Sequence, residues 1–104
     1  MAERDNEALR SIYRDDPEMA ELIELFVGEL PERVRALREF FDAGDLASLQ
    51  RLAHQLRGAS GGYGFEPLGF RAEQLESALK ADADAEVVRK RVDELIALCS
   101  RVAA

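Results

Sequence analysis

Tryptophan is absent from this chain of 104 residues, cysteine and histidine occur once each, and proline only three times. A lone cysteine, Cys99, excludes an internal disulfide framework and suits a reducing compartment. One cysteine and one histidine cannot build a Cys/His zinc site within one chain. No run approaches the roughly 18 apolar residues of a membrane span, and the opening MAERDNEALR lacks the apolar stretch of a secretory signal. There is no GxxxxGK[ST] and no glycine-rich strand-to-helix turn, so no nucleotide site is visible. Basic residues number 14 against 21 acidic ones, a net charge of −7, which argues against general binding of nucleic acid or anionic membrane. The length excludes a self-contained kinase, a dinucleotide-binding dehydrogenase and a (β/α)₈ barrel. One domain over 1–104 is expected, cytoplasmic and monomeric, with a bundle core at about 17–103.

Helical periodicity is what the chain does have, nearly end to end, and no stretch alternates as a half-buried strand should. A short first helix is expected over 5–14, with Leu9, Ile12 and Tyr13 on one side. Asp16-Pro17-Glu18 reads as an N-cap, a first-turn proline and a first-turn acid. Leu22, Ile23, Phe26, Leu30, Val34, Leu37 and Phe41 then recur at three- and four-residue steps. Pro31 interrupts this run; a kink in one long helix is expected, two shorter helices being the alternative. Gly44-Asp45 is a stop and a new N-cap. A segment at about 45–63 carries Leu46, Leu49, Leu52, Ala53, Leu56 and Tyr63. After Gly64 and Pro67, Leu68, Ala72, Leu75 and Leu79 form another stripe, and Val88, Val92, Leu95, Cys99 and Val102 form the last. Short connections between amphipathic helices favour antiparallel neighbours. The expected fold is therefore all-α, an up-down antiparallel four-helix bundle with a short N-terminal helix.

The sole histidine falls on the third of these segments. On a wheel of about 100° per residue, Leu49, Leu52, Leu56 and Tyr63 lie roughly opposite His54. His54 is thus phased to solvent and not to the core. Gly58 and Gly61 fall within about 40° of it. A mid-helix glycine costs roughly 0.5–1 kcal/mol relative to alanine, and on the solvent side no core packing compensates. What such glycines leave is a shaved surface on which another backbone can approach the imidazole.

Charge marks the same place. Over 51–71, Arg51, Arg57 and Arg71 stand against Glu66 alone, giving +2, so the other 83 residues carry −9. A basic island around one exposed histidine suits an acidic partner or a phosphoryl group. Arg57, one turn beyond His54, is placed to reach the same ligand.

Ala53-His54-Gln55-Leu56-Arg57-Gly58-Ala59-Ser60, followed by Gly64 and later Leu75-Glu76, resembles the signature of histidine-containing phosphotransfer (HPt) domains. The resemblance covers the bundle from about 17 to 103, with the sharp motif at 53–64. It implies a four-helix bundle whose exposed histidine carries a phosphoryl group between receiver-domain aspartates in a phosphorelay. His54 matches the phosphoacceptor, Arg57 the usual lysine that assists the phosphoryl group, and Gly58 the small residue that opens access. Gln50, Arg51, Gln55, Gly58 and Gly61 would form the docking surface. The implied partners are response-regulator receivers and a hybrid sensor histidine kinase. The domain would need no cofactor of its own, Mg²⁺ being held by the receiver. Such a domain is a carrier, without an ATP site or autonomous kinase activity. Two other readings stay open at this point. One is a helical adaptor that docks receivers without carrying phosphate. The other, a small hydrolase with His54 as base, lacks an orienting carboxylate at the positions one turn before it, Arg51 and Gln50.

Overall fold

Asp16 opens the first long helix: its carboxylate accepts the Glu18 N–H at 2.9 Å, and Pro17, which has no N–H to satisfy, follows at once. The computed structural model describes residues 7–104. Its helices are α1 (Pro17–Asp42), α2 (Leu46–Gly62), α3 (Glu66–Lys80) and α4 (Ala85–Cys99). Helix α1 runs unbroken through Pro31, so the single-helix reading holds over the two-helix alternative. Gly44 takes a left-handed φ of +71°, which ends α1, and Asp45 then caps α2 through the Ser48 N–H at 3.2 Å. Pro67 falls in the first turn of α3, so it starts that helix instead of breaking one.

The apolar stripes meet in one core. Leu37, Leu49, Leu56, Leu68, Leu75 and Leu95 have no exposed surface, and each such leucine contributes about 1.5–3 kcal/mol by leaving water. Phe26 joins α1 to the α2–α3 turn, stacking on Phe65 at 5.6 Å and tilting against Tyr63 at 5.1 Å. Cys99 is buried in the same core, which pushes its thiol up to about 12 and leaves it inert.

The expected N-terminal helix is not formed over 7–14; residues 5 and 6 lie outside the described residues. In its place β1 (Leu9–Arg10) pairs in parallel with β2 (Val102–Ala103). The chain then crosses to the α2–α3 turn. There the fully buried Ser11 hydroxyl donates to the Tyr63 carbonyl at 2.6 Å, and the Ile12 N–H donates to the Gly64 carbonyl at 3.0 Å. These long-range bonds outcompete the local ones a ten-residue helix could make, since so short a helix is marginal in water. Ile12 and Tyr13 consequently stay largely exposed. Only glycine fits at position 64, where φ is +84° and a Cβ would stand 2.5 Å from Ser11 Oγ.

Candidate functional site

Small residues set the spacing of α2 and α3. Ala53 and Ser60 on α2, with Gly69 and Ala72 on α3, are all buried where the two helices meet. A Cβ placed on Gly69 would lie 3.4 Å from the Arg57 carbonyl and 3.7 Å from the Gly61 nitrogen. The helices run antiparallel through a short turn, so if Gly61 faces Gly69, the residue facing His54 lies near 76. It is Glu76.

His54 is exposed over 66% of its side chain, whereas Glu76 is exposed over only 4%. His54 therefore faces solvent, as its phase on the helix predicts. His54 Nδ1 lies 2.8 Å from Glu76 Oε2. An ionised carboxylate can only accept, so Nδ1 carries the proton, and in the neutral ring Nε2 carries the lone pair. The other carboxylate oxygen, Oε1, accepts from Arg57 Nη1 at 3.0 Å. Lys80 Nζ, one turn along α3, reaches Oε2 at 3.1 Å. Burial works against the Glu76 anion, but the hydrogen bonds from Lys80, His54 and Arg57 more than offset it and hold the carboxyl below its usual 4.5. The result is a buried acceptor that fixes the ring without competing for the exposed nitrogen.

Beside the imidazole lies a shallow depression lined by Ala47, Gln50, Arg51, His54 and Glu76. Gln50 and Arg51 are thus brought to the histidine as expected. Gln55, Gly58 and Gly61 are exposed on the same helix, and nothing lies within 4 Å of a Cβ built at either glycine. Arg71, counted in the basic island, turns elsewhere: it bonds Gln74 at 3.0 Å and faces Glu94 on α4 at 3.6 Å. Arg57 stands one turn beyond His54 as expected, and it is anchored to Glu76. Glu76 stands in the sequence only as part of the family signature, and helix-by-helix reasoning gave no role to it or to Lys80. Helix α2 alone offers no orienting carboxylate, but α3 supplies one. Ser60, the nearest candidate nucleophile for a hydrolase, is fully buried. Among the described residues, no group of three or more His, Cys, Asp or Glu could hold a metal ion, and no helix is long and apolar enough to cross a membrane.

A model of the Hpt domain family matches residues 21–104. The chain belongs to the Hpt domain family. Hpt domains take part in two-component phosphotransfer as phosphoryl carriers, not as enzymes with ATP sites, and they interact with response-regulator receiver domains and kinases. No curated protein and no solved structure matches the chain. The family match covers all four helices apart from the first turn of α1, and with it every residue of the His54–Glu76 cluster.

Proposed function

We propose that this Hpt domain accepts a phosphoryl group on His54 Nε2 from a receiver's aspartyl phosphate and returns it to another receiver's aspartate. The observation that carries this reading is the exposed imidazole held through Nδ1 by a buried carboxylate. The Nε2 lone pair attacks phosphorus in line, the N–P bond forms, and the P–O bond to the acyl oxygen breaks, its electron pair leaving with the aspartate carboxylate. The ring gains positive charge in that step while Nδ1 keeps its proton, and Glu76 lies against that N–H to balance the charge. A protonated ring is also the better leaving group, which suits the return transfer. Arg57, held by Glu76 through one N–H, presents its remaining donors to the phosphoryl oxygens. The receiver supplies Mg²⁺. The domain works as a cytoplasmic monomer between the receiver of a hybrid sensor kinase and a separate response regulator.

Incubating the whole chain with a phosphorylated receiver and Mg²⁺ tests this. The expected product is a monophosphorylated chain whose label is lost in acid and stable in base, as a phosphoramidate requires. An unlabelled chain would favour the adaptor that docks receivers without carrying phosphate.

Glu76→Gln isolates the carboxylate. The amide still accepts from Nδ1 but cannot balance the ring's charge, so transfer should slow about 10- to 100-fold. Stability should fall by only about 1 kcal/mol, because Arg57 and Lys80 are each about half exposed and return to water. The pH dependence has a definite sign. A carboxyl held below 4.5 in the fold contributes stability that is fully present above 4.5 and is lost as pH falls through the lowered value. Glu76→Gln should therefore flatten the acid limb of a denaturation series in that window. A variant with unchanged transfer rate would reduce Glu76 to a structural ion pair.

A further inference from the structure

Three cations stand around His54 and Glu76, and two of them are engaged. Arg57 bonds Oε1 and Lys80 bonds Oε2 of the same carboxylate. The Arg51 side chain makes no hydrogen bond and no ion pair among the described residues, its one electrostatic neighbour being Asp45 near the start of its own helix. It lines the depression that His54 borders. On the α2 wheel Arg51 and Arg57 lie about 60° to either side of His54. Side chains on a helix lean toward its N-terminus, so the imidazole stands over the turn of Gln50 and Arg51. Ala47, on the next turn back, keeps that space open.

A phosphoryl group on the ring brings a charge of about −1.5 to −2, and of the three cations Arg51 alone is in salt-bridge contact with no carboxylate among the described residues. We propose that Arg51 is a second phosphoryl-binding residue, gripping the group on His54 from the side opposite Arg57. This rests on the carrier reading above and goes beyond it, since the signature places its assisting cation only at position 57. A planar guanidinium suits the role because it offers two parallel N–H bonds to phosphoryl oxygens.

Potassium phosphoramidate, a small donor that phosphorylates imidazole without a receiver, serves as the probe. The whole chain, Arg51→Ala and Arg51→Lys are each loaded, and the ³¹P resonance is followed against pH. A guanidinium in contact with the phosphoryl group favours its dianion. Arg51→Ala should then move the ³¹P titration to higher pH, and Arg51→Lys should restore part of the shift. Transfer from the loaded variant to a receiver should change at least tenfold, with the thermal transition unaltered because Arg51 is exposed and unpaired. A titration identical to that of the unaltered chain would overturn the assignment. Failure of the unaltered chain to form phosphohistidine would instead overturn the carrier reading, so the two failures are distinct.

Discussion

His54→Gln is expected to abolish phosphoryl uptake while leaving the bundle intact. The ring is the only histidine in the chain and supplies the only imidazole lone pair. An amide nitrogen is not a nucleophile at neutral pH, so no partial activity should survive. The fold should not register the change. Two-thirds of the His54 side chain is in solvent, and substitutions at such positions usually alter stability by less than about 0.5 kcal/mol. Glutamine also retains an N–H that can reach toward Glu76. The check is a side-by-side labelling from a phosphorylated receiver, with circular dichroism and melting on both proteins. Equal labelling of the two would place the phosphoryl group on another residue.

Gly58→Leu should separate folding from docking. A Cβ at 58 meets nothing within 4 Å, and leucine is a far better helix former than glycine, by up to about 1 kcal/mol. The variant should melt at the same temperature or higher. Its side chain nevertheless stands on the face that carries His54, one turn away. A receiver's aspartyl phosphate would be kept beyond the roughly 3–3.5 Å that in-line attack needs, and even a 1 Å misplacement costs about 100-fold. Transfer should therefore fall by about 100-fold or more, whereas loading by small phosphoramidate should persist. Gly58→Ala marks the other limit: more stable, with most of the transfer rate retained. Normal transfer in Gly58→Leu would mean that the partner approaches from another side.

The bundle was legible because each helix announces itself with a stripe, and the first two with a cap as well: Asp16 and Asp45 cap in the structure as they read in the sequence. The exposed histidine was legible for the same reason, since a wheel needs only one helix. What escaped were features made between elements. The strap of residues 9–12 looks like a short helix by periodicity, yet its hydrogen bonds go to residues some 50 and 90 positions away. Glu76 lies beside an apolar stripe on α3, where an acid is out of place unless something pays for its burial. Its role depends on the register of α3 against α2, which the buried Gly69 and Ser60 set. A constant residue sum across the short α2–α3 turn would have located it. Lys80 follows from Glu76 by the i, i+4 spacing, and Arg57 then ceases to be a free cation.

The most direct test of the central claim is an imidazole nitrogen spectrum of the ¹⁵N-histidine-labelled chain, recorded before and after loading from a phosphorylated receiver. Since His54 is the sole histidine, one ring gives every signal. The account predicts ³¹P–¹⁵N coupling at Nε2, with the Nδ1 proton still held by Glu76. Coupling at Nδ1, or an unchanged ring in a phosphorylated chain, would contradict it.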